Sequence, residues 1–549
     1  SLSPTISATL PAITNRGATT AGHRTVTLNA EVTDTGGNTP TCGFEYWVTG
    51  SAVTSTASAG PQTTLFPNPV GGLTPGSAYQ FRAVASNLAG AAFSGTLSFS
   101  THPVPSLLYV ATNGNNTAGT NWSTAYTDPQ TAFDVAEAGD IVYLAGHVFE
   151  RSPAINEVSL WTWSGASNVI VEGGYQAVGD AVLPGPNDPA QWPTVLKRSS
   201  GGARILRFSG LANSTLRGVT IEGGSYTTSA GYGGGLYASG CSSLTLDACV
   251  FTNNVIYGDA GRGGGLYTAT SSLLLTNCLF THNTARSVSA SSGYGGGVFV
   301  ASGDMTMTMS RVDTNSAQGL SYGEQGLGGG LYFASGSTGV ITRTVVSRNR
   351  AFSGYDVSIG GGVYNGGGRV TLQNCLVVLN DSGNNVADGI YSSSGSMNIL
   401  NCTVADNSGV GIQVAGGTAG LTNSILCGHV DDLTGTMSVA YCDIGTADDF
   451  WTTNVNGCIS ENPLFVDTVY YHLQSRVGNY LGGYFSGGTG WGTSLNNSPC
   501  IDTGYPDPAK PWRGVEPEPN GGQSNMGAYG NTTVASKGRV VAGTVFMIR

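Results

Sequence analysis

The sequence predicts an all-β chain. A β-sandwich spans residues 1–102 and a linker 103–106. A parallel β-helix occupies 107–459, then a C-terminal cap segment 460–535 and a strand or tail 536–549. Three observations point there. A glycine phrase, Gly233-Gly234-Gly235-Leu236-Tyr237, returns as Gly263-Gly264-Gly265-Leu266-Tyr267, Gly295-Gly296-Gly297-Val298-Phe299, Gly328-Gly329-Gly330-Leu331-Tyr332 and Gly360-Gly361-Gly362-Val363-Tyr364. A second phrase alternates with it: Phe251-x-x-Asn254, Phe280-x-x-Asn283, Val312-x-x-Asn315, Val346-x-x-Asn349, Val377-x-x-Asn380 and Val404-x-x-Asn407, the asparagines 29, 32, 34, 31 and 27 residues apart. A period of that size marks one supersecondary unit stacked on copies of itself. Finally, 84 glycines beside 40% hydrophobic residues describe a folded, turn-rich chain rather than a disordered one.

Within the repeat, Leu244-Thr245-Leu246 and Leu273-Leu274-Leu275 are apolar, alternating and too short for helices. Triple glycines break helices and permit sharp bends against a neighbouring backbone. Each repeat therefore holds two or three short strands with corners, and successive turns stack at roughly 4.8 Å. Like residues then form ladders. Asn254, Asn283, Asn315, Asn349, Asn380 and Asn407 are expected to turn a corner with their amides bonded along the axis. Cys249, Cys278, Ser310, Thr344, Cys375, Cys402, Ser424 and Cys442 align as an inward ladder of small residues. A leucine-rich horseshoe has a similar period, but its asparagine pattern and helices are missing. The two phrases in fixed order resemble the chlamydial polymorphic outer membrane protein repeats. That resemblance covers residues 233–407 and implies a right-handed parallel β-helix, with no function attached.

Upstream, residues 25–32 and 44–48 alternate as strands. Gly72-Leu73-Thr74-Pro75-Gly76-Ser77-Ala78-Tyr79, continuing to Asn87, resembles the fibronectin type III signature around its tyrosine corner. The resemblance implies that Tyr79 bonds the backbone of the turn containing Pro75 and Gly76, and that Leu73, Phe81 and Val84 fill the sheet. Thr101-His102-Pro103-Val104-Pro105 is a proline-stiffened linker. Residues 128–138 form the one convincing helix: Asp128 suits the N-cap, Pro129 the first turn and Gly139 the end. A short amphipathic helix covers the open end of a β-helix, and residues 107–142 resemble the N-terminal lead-in of secreted bacterial β-helix proteins. Residues 168–174 and 216–224 are early coils with Gly in place of the corner Asn. The stretch 184–192 is an insertion on one edge. The loops 255–262, 284–294 and 316–327 differ in length and sequence and are the expected binding surface.

Asn462-Pro463-Leu464-Phe465-Val466-Asp467, Tyr471-His472-Leu473-Gln474-Ser475, Ser498-Pro499-Cys500-Ile501-Asp502-Thr503-Gly504 and Asn525-Met526-Gly527-Ala528-Tyr529-Gly530 come next, in that order. They resemble the C-terminal segment of bacterial choice-of-anchor Q proteins. The resemblance implies export and an extracellular or cell-surface location. A start at Ser1 fits a processed product. The apolar run 540–548 is expected either to pair back on the chain, to mark a fragment, or to add to another molecule's sheet edge.

Charged residues are only 10% and the net charge is −11, with Lys197, Lys510 and Lys537 the only lysines. Nucleic acid and anionic membrane are excluded as partners, since both need a basic face, and no apolar run approaches a membrane span. Ten cysteines are too few for a disulfide scaffold. Cys249, Cys278, Cys375 and Cys402 are buried thiols or inter-coil bonds. Cys442, Cys458 and Cys500 are better placed to bridge, and Cys42 is buried or intermolecular.

Enzymes on this fold carry clustered Asp with an Arg base, as pectate lyases do, or Asn-Thr-Asp, Asp-Asp and Gly-His-Gly, as polygalacturonase-like hydrolases do. Here only Asp431-Asp432 and Asp448-Asp449 appear, and Asp247, Asp259, Asp304, Asp313, Glu324, Asp356 and Asp388 are isolated acids. No catalytic residue is assigned. A paired carboxylate site among stacked coils stays the alternative. His282 reads as surface, and zinc spacing is absent. No cofactor is expected, with calcium at Asp443, Asp448 and Asp449, or at Asp502 and Asp507, as the alternative to solvated loop acids. Tyr237, Tyr267, Phe299, Tyr332, Tyr364 and Tyr391 each follow an inward aliphatic residue, so alternation aims them outward. Such a stripe suits sugar stacking, a protein interface, or an aromatic stack covered by loops. The expected function is a non-catalytic extracellular surface protein, structural or adhesive and self-assembling. Its partners are copies of itself, a cell-surface component or a polysaccharide. The alternative is a polysaccharide lyase, glycoside hydrolase or glycan-binding protein.

Overall fold

The computed structural model describes residues 8–19, 23–101, 106–155, 157–178, 184–227, 231–287, 291–383, 386–445, 455–485, 490–506 and 515–538. The linker residues 102–105 and the apolar run 540–548 lie outside them. Two antiparallel sheets form the N-terminal sandwich. One contains Ala12–Thr19, Val26–Asp34 and Leu65–Val70, the other Thr41–Val48, Ser55–Pro61, Ala78–Asn87, Gly90–Phe93 and Leu97–Ser100. Alternation buries Leu28, Phe44, Phe66 and Phe81, and the Phe44 and Phe66 rings meet 5.6 Å apart. The Thr74 amide donates to Tyr79 Oη at 2.8 Å, so the tyrosine closes the turn ahead of Pro75 as expected. Cys42 is buried in this core.

One histidine ties the sandwich to the turn that follows the helix capping the solenoid. His23 is 2% exposed; its amide donates to Glu137 Oε2 at 2.8 Å and its Nε2 meets Ala138 O at 2.7 Å. The helix spans only Pro129–Val135, shorter than the expected 128–138. Asp128 caps it as expected, accepting from Gln130 N at 2.8 Å. It stops early because Ala136 is extended (φ −62°, ψ 139°) and the Glu137 amide turns instead onto Asp140 Oδ2 at 2.8 Å. Phe133 stacks on Trp163 at 5.6 Å and covers the first coil. Among the described residues no helix is long and apolar enough to cross a membrane.

The rest is a parallel β-helix. One face is an 11-stranded parallel sheet running from Val148–Arg151 through Val250–Thr252 and Leu279–Thr281 to Asp443–Ile444. A second face holds the strands after each glycine run, among them Leu236–Ser239, Leu266–Ala269, Val298–Val300 and Leu331–Ala334. A third holds Leu244–Asp247, Ser271–Thr276, Gly303–Thr308 and Ser337–Thr342. Leu246, Phe251, Leu275 and Phe280 fill the interior, with Phe251 and Phe280 stacked at 4.6 Å. The loops expected to be individual are partly regular. Val255–Gly258, Thr284–Ser287, Ser316–Gly319 and Arg350–Ser353 continue each coil as a further parallel sheet, because the ladder before them sets the register for four more residues.

The asparagine ladder is continuous. Each Oδ1 accepts from both the amide and the Nδ2 of the asparagine one coil earlier: Asn283 N and Nδ2 reach Asn315 Oδ1 at 3.0 and 2.9 Å, and Asn315 reaches Asn349 Oδ1 at 3.0 and 2.9 Å. The same geometry runs from Asn254 to Asn407. At its end Asn407 Nδ2 donates to His429 Nε2 at 3.0 Å, so the imidazole proton sits on Nδ1 and donates to Asp432 Oδ1 at 2.5 Å. A histidine thus terminates the ladder. The small-residue ladder is equally regular: Cys249, Cys278 and Cys375 thiols donate to backbone carbonyls of the preceding coil at 3.3–3.4 Å. All ten cysteines are free, including Cys442, Cys458 and Cys500; Cys500 Sγ donates to Asp443 Oδ2 at 3.0 Å rather than bridging.

The C-terminal segment does more than close the end: it lies along the 11-stranded face. Tyr471, Ala528 and Tyr529 pack on Val345, Leu376, Val378 and Ala405. Asn374 Nδ2 donates to Gly530 O at 2.7 Å and Asn401 Nδ2 to the same carbonyl at 2.9 Å. Glu516 is 8% exposed here, its Oε1 accepting from Asn525 N at 2.9 Å and Asn531 N at 2.5 Å. Burial raises its pKa from 4.5 to about 7. A raised carboxyl favours the protonated fold, so this stabilisation is complete below pH 4.5 and is lost as pH rises through about 7. Buried Asp443, raised to about 6, acts in the same direction. Glu516→Gln keeps the acceptor and removes the charge. It is expected to stabilise the segment at pH 8 by about 2–3 kcal/mol and to flatten the pH dependence, read as amide protection factors across 515–538.

Candidate functional site

The strand after each glycine run puts Leu236, Leu266, Val298, Leu331, Val363 and Ile390 inside, all fully buried, and the next residue outside. Parallel register superimposes Tyr237, Tyr267, Phe299, Tyr332, Tyr364 and Tyr391. Inter-coil spacing near 4.8 Å suits offset stacking. The first four ring pairs lie 4.9–5.5 Å apart and within 7° of parallel, the last 5.0 Å apart at 36°. Each inner ring therefore gives its faces to its neighbours. What the stripe turns outward is ring edges and hydroxyls, and sugar stacking on its faces is not available along the run.

A second ladder covers it. The residue just before each glycine run, Tyr232, Arg262, Tyr294, Leu327 and Ile359, also stacks in register. The first glycine of each run (Gly263 at φ +68°, Gly295 at +60°) turns this ladder back over the stripe. The Tyr232 ring lies 4.6 Å from Tyr267, and Tyr294 stands edge-on to Tyr332 at 5.3 Å. The Arg262 guanidinium sits 5.4 Å from Tyr232, 5.5 Å from Tyr294 and 5.9 Å from Phe299, and donates to Tyr232 Oη at 3.1 Å. As a result Tyr267 and Phe299 are only 9% and 5% exposed, and burial lifts Tyr267 to about 12. Sequence reasoning passed over this ladder as loop ends; its signal was the recurring position before the glycines.

Arginines extend the face toward the N-terminus. Register places Arg207 beside Tyr237, and the Arg204 guanidinium lies 5.0 Å from both Tyr226 and Tyr237. Arg204 is 7% exposed and its Nε is buried without a hydrogen-bond partner. Burial lowers its pKa to about 10, so it stays cationic at neutral pH. Among the described residues the ion-paired arginines are Arg16, Arg82, Arg151, Arg217, Arg311, Arg348 and Arg350; Arg204, Arg207 and Arg262 have no carboxylate.

Four of the isolated acids are committed elsewhere. Asp247 pairs with Arg217 at 3.0 Å, and Asp313 with Arg348 at 2.9 Å. Glu324 Oε2 accepts two amides of its own loop, and Asp388 accepts from Ser382 N at 2.8 Å. His282 is exposed beside Thr281. Of the expected calcium ligands, Asp443 is buried against Cys500 and the Glu461 amide, and Asp502 Oδ1 accepts from Gly521 N at 2.8 Å. Asp448, Asp449 and Asp507 lie outside the described residues.

Coil stacking defines the class, a parallel β-helix protein with an antiparallel sandwich in front. Residues 207–426 match the family model described as the right handed beta helix region. No curated protein matches the chain. Among solved structures the chain is similar to pectate lyase Pel9A, with 13% identity over 77% of this chain and 95% of that one and a TM-score of 0.37. It is similar to the family 28 exopolygalacturonase of Yersinia enterocolitica, with 11% identity over 78% and 99% and a TM-score of 0.20. It is also similar to the sensor domain of the anti-sigma factor RsgI4 of Pseudobacteroides cellulosolvens, with 18% identity over 17% and 96% and a TM-score of 0.15.

Proposed function

We propose that the chain is a non-catalytic bacterial surface protein, extracellular and adhesive, whose β-helix is a rigid rod presenting the tyrosine and arginine face to carbohydrate. The observation that carries this reading is the second ladder, where Tyr232, Arg262 and Tyr294 stand over a self-stacked aromatic stripe. The stripe supplies rigidity, and the covering ladder with Arg262 supplies the hydrogen-bonding surface. Tyrosine and arginine are the side chains that most often dominate recognition surfaces. The resemblance of residues 462–530 to choice-of-anchor Q proteins supports export and surface attachment. Self-assembly is the second use of such a face, and the fibronectin-like sandwich is a spacer or interaction module in either case. The test is a polysaccharide panel scored for retention and for new reducing or unsaturated ends, with light scattering and negative-stain imaging of the same sample. Retention without cleavage is expected. Release of new chain ends would make the protein an enzyme and overturn the reading, and regular filaments that retain no glycan would move the face to self-assembly.

A further inference from the structure

The chain carries a net charge of −11, yet among the described residues Arg204, Arg207 and Arg262 gather at one site with no carboxylate in ion-pair range. Arg204, only 7% exposed, is held between Tyr226 and Tyr237, with Nε lacking any acceptor. A guanidinium in that setting normally has a carboxylate beside it, because desolvating an unpaired charge is costly. The groups around it are Tyr226, Tyr237 and another cation, Arg207. Arg207 is exposed one rung before Tyr237, and Arg262 continues the row two coils further on. Tyrosine faces tolerate a cation and tyrosine hydroxyls donate to an anion, so the cluster is built to receive negative charge. A guanidinium fork matches the two oxygens of a carboxylate or sulfate.

Resting on the carbohydrate-binding reading above, we propose that Arg204, with Arg207 and Arg262, forms an anion subsite at the N-terminal end of the tyrosine face, and that the ligand is an acidic polysaccharide recognised through its carboxylate or sulfate groups. Arg204 supplies the desolvated bidentate contact. Arg207 and Arg262 bind flanking charges along the coil axis, Tyr232 contributes a hydroxyl between them and Tyr294 one a coil beyond Arg262. The buried cation is retained because the ligand completes its pairing.

The experiment measures affinity of the full chain for dextran sulfate, alginate and neutral dextran by affinity electrophoresis at low and high salt. At least tenfold tighter binding to one or both acidic polymers than to dextran is expected; whether alginate or dextran sulfate is preferred identifies carboxylate or sulfate as the group read. Arg204→Gln and Arg207→Gln should each weaken acidic-polymer binding tenfold or more, whereas Arg369→Gln, an exposed arginine on another face, should not. Arg204→Gln removes an unpaired buried charge, so its urea midpoint should match or exceed that of the parent, which separates lost binding from lost folding. Equal binding of dextran and the acidic polymers, or equal losses at Arg204 and Arg369, overturns the subsite while leaving the adhesive reading standing. Retention of no polysaccharide overturns both. Cleavage of an acidic polymer that still depends on Arg204 overturns only the non-catalytic reading.

Discussion

Asn315→Ala is expected to destabilise the coil stack by about 3–5 kcal/mol, an effect that can be measured without knowing the ligand. The substitution deletes the Oδ1 that accepts from Asn283 N and Nδ2, and the Nδ2 that donates to Phe280 O and to Asn349 Oδ1. Asn283, Asn315 and Asn349 are at most 1% exposed, so water does not replace those partners. Each buried donor or acceptor left alone costs about 1–3 kcal/mol, and three are orphaned here, the Asn283 amide, one Asn283 Nδ2 hydrogen and Phe280 O. Asn398→Ala, at an exposed position on the neighbouring face, should shift stability by less than about 0.5 kcal/mol. Urea unfolding followed by tyrosine fluorescence, with hydrogen exchange at the Asn283 amide, reads both. A loss at Asn315 no greater than at Asn398 would mean that the ladder bonds contribute nothing beyond their aqueous replacements.

Gly296→Ala is expected to cost about 4 kcal/mol or more and to separate two coils locally. A Cβ at Gly296 would lie 2.4 Å from Gly329 O and 2.4 Å from Ser316 C and O. These are backbone atoms of the next coil (Gly329) and of the far side of the same coil (Ser316), tied by parallel ladders, and cannot move a few tenths of an ångström without opening the stack. Gly354→Ala provides the control, since that glycine has open space around it and no positive φ; a change within about 1 kcal/mol in either direction is expected there. Limited proteolysis is the readout: Gly296→Ala should create a cleavage site between 284 and 330, and Gly354→Ala should not. Equal resistance of both variants would show that the coils part more readily than their ladders suggest.

The three glycines of each run show how far a repeated phrase can be read. Their recurrence announced bends and close approach, but their division of labour is spatial. The first takes positive φ, the second passes against neighbouring backbone, and the third makes room for the asparagine of its own coil: Gly235 for Asn254, Gly265 for Asn283, Gly330 for Asn349. The glycine phrase and the asparagine phrase recur together because they touch across the coil. The helix end and the loop sheets were less legible, since Ala136 has no sequence mark of an extended residue and strand pairing beyond the corner depends on the coil below. The free thiol of Cys500 follows from packing, which points it at Asp443 instead of at another sulfur.

Period, alternation and side-chain type by themselves determined the all-β class, the asparagine and small-residue ladders, the Tyr79 corner and the outward placement of the aromatic stripe, because each depends on local backbone geometry repeated in register. Tertiary structure alone decided that the stripe spends its ring faces on itself, that Tyr232, Arg262 and Tyr294 cover it, that residues 525–530 lie along the long sheet, and that Arg204 is buried without an acid. Those depend on distances between residues from different coils or from opposite ends of the chain. No one-dimensional pattern encodes how far a guanidinium stands from the nearest carboxylate.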